Sequence, residues 1–261
     1  MRYLLLLILL ENHFQTFSQE FVREGVLTVT KTEMYKDKRN SYDTSLHWSY
    51  RIWFSDSAVV IENKAIESPP EGKESRGIRY PVYKYTYFDL KTMRGQDYFY
   101  LSEKAPVQCN YIAGRGDSFI SWKFWKKDPD EIKGYFVLGD TIIQGMKYKL
   151  VETRSSYLNN DNKRVLYYLK CNTSEFVFHV DNKIGLEQDL KGCKVYRIDN
   201  IYNDVGIKRV FEINLISDTL NEDEKNIFMK WAENAKNTKV PIMQFSEVLE
   251  KCTNSPFLID Y

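Results

Sequence analysis

The chain is poor in histidine and lacks the motifs of the common catalytic and metal-binding sites. Of its three histidines, only His47 and His179 lie beyond the N-terminal leader, and neither has the spacing of a metal site or a catalytic triad. The patterns HExxH, GxSxG, SxxK, GxxxxGK[ST] and CxxC are all absent. The sequence therefore predicts no catalytic residue, no metal ligand and no cofactor, and it favours a protein that is not an enzyme.

The chain also lacks an excess of charge of either sign and a long apolar segment. Lys and Arg number 37 and Asp and Glu number 36, so no overall field attracts nucleic acid. No segment approaches the ~20 apolar residues of a transmembrane helix. We therefore expect neither a nucleic-acid partner nor a transmembrane span.

The N-terminal leader has the composition of a secretory signal. A basic residue is followed by an unbroken apolar run from Leu4 to Leu10, and Thr16 and Ser18 then supply small side chains. This order of charge, apolar core and small-residue cleavage site is that of an export signal. We expect a signal peptide at 1–18, cleaved near Ser18, and a mature chain over 19–261 that is periplasmic or secreted.

Four cysteines permit two disulfides, and three pairings of them are open. An exported protein meets an oxidising compartment, in which such bonds persist. The segment between Cys171 and Cys193 has the length of a strand pair that returns on itself. The sequence therefore favours a Cys171–Cys193 disulfide.

The remaining pattern is that of a β protein. The chain has 19 Tyr and 15 Phe, and aromatic residues favour pleated, half-buried strands. Alternation puts Leu27, Val29 and Lys31 on one side of the first long strand. About a dozen such strands, joined by hairpin turns, predict one mainly β (α+β) domain at 19–261, built as a curved antiparallel sheet or half-barrel.

The C-terminal region changes to a helical pattern. Thr219 and Glu222 have the spacing of a capping box, and an apolar stripe with helical spacing follows. This predicts an amphipathic helix over 219–236, packed on the sheet. A second, shorter helix is predicted over 241–252. The first helix presents Ile227, Phe228, Trp231, Ala232 and Ala235.

Aromatic side chains on several strands are the candidate ligand-binding residues. On the concave side of a half-barrel they would form an apolar pocket for a lipid-like or small apolar ligand. They could equally be core under the C-terminal helix, and the sequence leaves both interpretations open. These residues are Trp48, Trp53, Tyr83, Tyr85, Tyr87, Trp122 and Trp125.

One hairpin motif carries a resemblance to a known group of proteins. The segment from Gly139 to Lys149, GDTIIQGMKYK, resembles the GDT-x-I-x-G-x-x-Y-K turn of exported proteins of Bacteroidota. The N-terminal half, with its Tyr-rich strands, is similar to the GLPGLI-type secreted proteins, although the GLPGLI hexapeptide itself is absent. The resemblance implies an envelope location and a half-barrel akin to lipoprotein carriers, and it supplies no functional residues.

Three functions remain open at this point. The favoured one is a non-enzymatic, exported cell-envelope protein that binds an apolar ligand or a protein partner. An exported hydrolase would use scattered carboxylates such as Asp128 and Glu131, since such pairs are spatial and leave little trace in sequence. A structural or adhesive surface protein would use the loop from Glu67 to Ile78.

Overall fold

The structure is a computed structural model, and it describes residues 21–37, 39, 41–65, 80–112, 135–154, 163–171, 175–176, 186, 190 and 192–244. Within these residues the predicted fold class is confirmed, since the protein is mainly β, with a helix packed on a large, open, curved sheet. The predicted signal peptide and the loop from Glu67 to Ile78 lie outside the described residues.

The strands and the helix follow the alternating and helical patterns of the sequence. Their bounds are β1 Phe21–Val22, β2 Gly25–Lys36, β3 Tyr42–Phe54, β4 Ala58–Lys64, β5 Val82–Asp89, β6 Arg94–Tyr98, β7 Cys109–Ile112, β8 Tyr135–Ile143, β9 Met146–Arg154, β10 Lys163–Cys171, β11 Glu175–Phe176, β12 Cys193–Tyr202, β13 Ile207–Ser217, α1 Glu222–Asn237 and β14 Ile242–Gln244.

Twelve of these strands form one sheet, in the order β14-β7-β6-β5-β4-β3-β2-β13-β12-β10-β9-β8. Neighbours are antiparallel except β14 and β7, while β1 and β11 pair in parallel with each other alone. Strand β2 pairs with β3 on one side and β13 on the other. The N-terminal and C-terminal halves of the sheet therefore meet at β2.

The turn in the GDT segment has the geometry that its sequence predicts. Gln144 and Gly145 join β8 to β9 with φ values of 49° and 80°. Positive φ at both central residues is typical of the tightest hairpin turns, whose twist matches that of the strands. Glycine at the second position adopts this conformation without strain.

The register divides the side chains between two faces, because residues opposite each other on neighbouring strands share a face. Here the apolar face is defined as the one that bears Leu27, Val29, Ile52, Phe54, Ile198 and Ile213, all buried. The helix face is the opposite one, on which α1 packs. It bears Val26, Trp53, Val60 and Tyr87.

Helix α1 is the predicted amphipathic helix, but its cap lies two residues later than expected. Asn221 rather than Thr219 is the N-cap, and its side chain accepts from the Glu224 backbone N–H at 2.9 Å. Glu224 in turn accepts from the Asn221 N–H at 2.9 Å and from Trp53 Nε1 at 2.7 Å. The same carboxylate thus closes the cap and ties the helix to β3, which explains the shift.

Trp231 fixes the helix on the sheet. Its ring is fully buried and stacks on Tyr98 with centroids 3.9 Å apart, while Tyr87 meets it edge-on at 6.4 Å. Trp231 Nε1 donates to the Ser102 carbonyl at 3.1 Å. At the other end of α1, Arg94 Nη1 donates to the Ala235 carbonyl at 2.6 Å and satisfies one of its terminal carbonyls.

The prediction of a helix over 241–252 is wrong at the start of that range. Ile242–Gln244 form strand β14, which pairs in parallel with β7, and Asn110 Nδ2 donates to the Val240 carbonyl at 3.1 Å. Pairing with a sheet edge therefore outweighs the local helical pattern here, as tertiary context commonly does. The remainder of the predicted helix lies outside the described residues.

The structure contains the disulfide that the sequence favours. Cys171 ends β10 and Cys193 begins β12, and the two stand directly opposite each other in the antiparallel pair, joined by a disulfide. Cys109 on β7 is also disulfide-bonded, and no described cysteine is free.

Removing the Trp231 ring should loosen the whole helix face. We expect Trp231→Ala to lower the free energy of unfolding by about 3–5 kcal/mol, because it deletes a buried indole and leaves a cavity. The control is Met229→Ala on the exposed side of the same helix, which should change it by less than about 0.5 kcal/mol. Chemical denaturation measures both, and equal losses would contradict this account.

Candidate functional site

The aromatic residues predicted to bind a ligand do not lie together, because they are distributed over both faces of the sheet. Trp53 and Tyr87 lie on the helix face, 2% and 1% exposed, and Tyr85 packs on Trp53 with ring centroids 6.1 Å apart. They have the packing role that the sequence left open as the alternative. Tyr83 is half-buried, and burial raises the pKa of its hydroxyl to about 12. Trp122 and Trp125 lie outside the described residues.

Trp53 also borders an open cleft of about 260 Å³ at the start of α1, shared with Arg51 and Glu224. Ligand pockets usually measure ~300–1,000 Å³ and are largely enclosed. The cleft is therefore smaller and more open than a typical site.

Trp48 is the one described member of the predicted set that lies on the apolar face. Its ring is buried and stacks on Tyr80, with centroids 5.2 Å apart and planes 11° from parallel. It stands directly opposite Lys31 on β2, which stands opposite Phe211 on β13. This register continues across the sheet in what we call the Lys31 row: Trp48, Lys31, Phe211, Ile198, Tyr167 and Val151.

Lys31 is the exceptional member of that row. Its side chain is only 5% exposed, and Nζ lies 4.5 Å from the centroid of the Trp48 ring and 5.6 Å from that of Phe211. Burial, assisted by the charge of Arg209, lowers the pKa of the ammonium to about 8, although Glu33 raises it in part. Aromatic faces attract the cation, and the attraction grows when water is excluded.

The next row adds a compact ion pair beside Lys31. Arg209 Nε donates to Glu33 Oε2 at 2.6 Å, and the Tyr35 hydroxyl donates to the other carboxylate oxygen. Burial alone would raise the pKa of Glu33, but these hydrogen bonds and the nearby cations outweigh it and hold the pKa below its ordinary value. Glu33 is therefore ionised at neutral pH, with two strong donors on its carboxylate.

A second polar cluster lies on the apolar face beyond β4. The buried Asp97 carboxylate meets Lys84 Nζ at 2.7 Å and accepts from Thr86 Oγ1 at 2.8 Å and the Tyr111 hydroxyl at 3.4 Å. Asn63 Nδ2 donates to Thr86 Oγ1 at 2.9 Å. Burial raises the pKa of Tyr111 well above its usual range, so its hydroxyl remains a donor. This closed network fits a structural role.

Sequence reasoning placed Lys31 on the correct side of β2 and did not recognise it as a site residue. The signal was available, since a lysine in register with Leu27 and Val29 must put its ammonium on the face that buries them. What the sequence could not supply was the approach of Phe211 and Arg209 from β13, which lies about 180 residues further along the chain.

The described residues offer little that resembles a catalytic or metal centre. They contain no group of three or more His, Cys, Asp or Glu side chains placed to hold a metal ion. His47 is exposed, and its Nδ1 lies 3.0 Å from the Thr32 hydroxyl. His179, Asp128 and Glu131 lie outside the described residues. No helix among the described residues is long and apolar enough to cross a bilayer, and this includes the 16 residues of α1.

No protein-family model matches the chain, and no curated protein matches it. Among solved structures, the chain is similar to a LolA-superfamily protein from Nitrosomonas europaea, at 11% identity over 76% of this chain and 86% of that one, with a TM-score of 0.23. A DUF1329 family protein from Desulfovibrio piger is similar at 10% identity over 77% and 88% of the two chains, also with a TM-score of 0.23. Likenesses of this size assign neither a family nor an activity.

The buried and exposed ion pairs should differ sharply in their contribution to the free energy of unfolding. We expect Asp97→Ala to lower the free energy of unfolding by about 3–5 kcal/mol, because Lys84 is left mostly buried without its carboxylate. The matched control is Asp140→Ala, whose partner Lys147 is largely exposed, and it should have no measurable effect. Urea denaturation tests both, and a small loss for Asp97→Ala would show that the network is not structural.

The lowered pKa of Lys31 makes the stability depend on pH. The unfolded chain holds this proton up to about pH 10.5 and the folded chain only up to about pH 8, so stability rises with pH between these values. Against Lys31→Met, which lacks the titrating group, the wild type should gain on the order of 3 kcal/mol of unfolding free energy across that window. A difference between the two proteins that stays constant with pH would contradict the burial of this charge.

Proposed function

We propose that this protein is an exported, non-catalytic binding protein of the cell envelope, and that it carries an apolar, lipid-like ligand on the apolar face. The observation that carries the proposal is the position of the larger hydrophobic surface. Helix α1 packs on one face of the sheet, whereas the more extensive set of buried apolar side chains lies on the other.

The apolar face has the dimensions of a lipid-binding surface. The Lys31 row crosses six neighbouring strands, and at ~4.8 Å per strand spacing it measures about 24 Å. Within the row, Ile198, Tyr167 and Val151 form a continuous run of buried side chains away from Lys31, here called the apolar track, which becomes accessible to a ligand when the cover of this face is displaced. An extended acyl chain matches a long, narrow track of this kind better than a compact ligand does.

The cover of this face includes small, separate elements among the described residues. Val22 belongs to β1, which pairs only with β11, and Leu186 is fully buried in the same cluster. A ligand that replaces such a cover exchanges one apolar contact for another, so little burial free energy is lost. Displacement of this cover by an entering ligand therefore costs little free energy.

The disulfide supports the proposed location. The Cys171–Cys193 bond joins adjacent strands, and disulfides persist in oxidising compartments and are rare in the cytosol. The export signal predicted at 1–18 points the same way. The hydrolase and adhesion alternatives depend on residues outside the described ones, and no described feature favours either.

A photoreactive fatty alcohol tests the proposal. The full-length protein, stripped of lipid, should bind a long-chain alcohol carrying a diazirine saturably, with competition by the unlabelled alcohol. After irradiation, mass spectrometry should find the label on peptides from β2, β12 and β13. Met229→Gln on the exposed side of α1 serves as the control variant and should bind equally well.

Two results would contradict the proposal. One is the absence of saturable binding by the lipid-free protein. The other is labelling concentrated on α1 and not on the strands that form the apolar face.

A further inference from the structure

The hairpin of β8 and β9 concentrates exposed apolar side chains at one edge of the sheet. Strand β8 is the last strand of the described sheet, and Phe136, Val137 and Leu138 follow one another on it with exposed fractions of 56%, 49% and 51%. Ile142 on β8 is 72% exposed, and Met146 on β9 is 43% exposed. Single exposed apolar residues are normal in soluble proteins, whereas a contiguous group of them marks an interaction surface.

The exposed residues lie on both faces of the hairpin. Val137 stands opposite Val151 of the Lys31 row and therefore lies on the apolar face. Phe136 stands opposite Glu152, the next residue of β9, and therefore lies on the helix face. At the turn, a side chain added at Gly145 would meet no atom within 4 Å. A partner that buries this group of residues must therefore contact two faces.

The geometry of β8 does not favour the addition of a further strand, from a second copy of the chain or from another protein. A bulge between Val137 and Gly139 shifts the register with β9, and Gly139 has a φ of 118°. Bulges bend the strand and commonly protect sheet edges against pairing. The exposed Asp140 adds a charge to the same stretch, which has the same protective effect.

The size of the exposed group also argues against a flat protein partner. A large side chain has an accessible surface on the order of 200 Å², so the five residues together expose roughly 500 Å². This area is divided between two faces, whereas a stable protein interface takes about 800 Å² from each partner. A fluid surface that surrounds the hairpin can contact both faces at once.

We propose that the hairpin of β8 and β9 docks on the surface of a lipid bilayer, with Leu138 and Ile142 against the acyl chains just below the head groups. At this depth both faces of the hairpin lose water, while water still reaches the outer backbone groups of an edge strand. Asp140 and Lys147, beside Ile142, form an ion pair at 2.8 Å, so each brings its own counter-charge to the bilayer. The surface goes beyond the proposed function and does not depend on which ligand is carried.

Vesicle flotation tests the docking surface. The wild type should float with phosphatidylcholine vesicles, and the double variant Leu138→Ser, Ile142→Ser should bind them at least about tenfold more weakly, because it removes apolar surface that the bilayer buries. The matched control is Ile216→Ser, Met229→Ser, which changes side chains of similar exposure outside the hairpin, 59% and 63%, and should bind like the wild type. All proteins are prepared with the same N-terminus, so the predicted leader contributes equally to each.

A photoreactive lipid locates the contact in the wild type and needs no variant. Vesicles that contain a phosphatidylcholine with a diazirine in its acyl chain are irradiated with the bound protein. Mass spectrometry should find the label mainly on the peptide that contains Leu138 and Ile142. Labelling confined to β2, β12 and β13 would mean that lipid had left the bilayer for the apolar face, and it would overturn the docking surface.

The remaining outcomes separate this inference from the proposed function. Failure of the wild type to float, or equal binding by the two double variants, would overturn the docking surface and leave the binding of an alcohol in solution untouched. A dimer formed without lipid, and lost in Leu138→Ser, Ile142→Ser, would also overturn it and assign the hairpin to a second copy of the chain. Vesicle binding through the hairpin by a protein that binds no alcohol would support the docking surface and contradict the proposed function.

Discussion

The register of β2 is the constraint on which the rest of the structure depends. This strand pairs along nearly its whole length with β3 and β13, and it thereby joins the two halves of the sheet. A shift of one residue would send Leu27, Val29 and Lys31 to the helix face and Val26 to the apolar face, because side chains alternate with a period of two. The packing of α1, the apolar track and the environment of Lys31 therefore all follow from one alignment.

The two faces carry different polar groups for different reasons. On the helix face, Trp53, Glu224 and Asn221 satisfy one another at the start of α1, so the polar atoms there complete the packing of the helix. On the apolar face, the Asp97 network is closed by donors from β5 and β7 and has the same structural character. Lys31 differs from both, since rings and a preformed ion pair surround it.

Much of the fold follows from local pattern, whereas the site does not. The alternation in β2, the Gln144–Gly145 turn and the stripe of α1 depend on neighbours in sequence, and the sequence predicts them. The cap at Asn221 depends on Trp53 from β3, and β14 forms because β7 offers it an edge. Alternation along β3 already places Trp48 and Trp53 on opposite faces, but only the pairing of β2 with β13 brings Phe211 beside Lys31. Sequence spacing contains no record of such pairings.

A buried lysine of this kind couples the stability of the protein to pH. Burial lowers the pKa of Lys31 to about 8, so the amine is protonated at neutral pH at a cost to folding. Raising the pH removes the charge from the folded chain first, so part of that cost disappears as the amine loses its proton. A shift of β2 by one residue would place the same lysine on the helix face, in other surroundings. The strand register thus decides both which side chains are buried together and how the stability of the fold changes with pH.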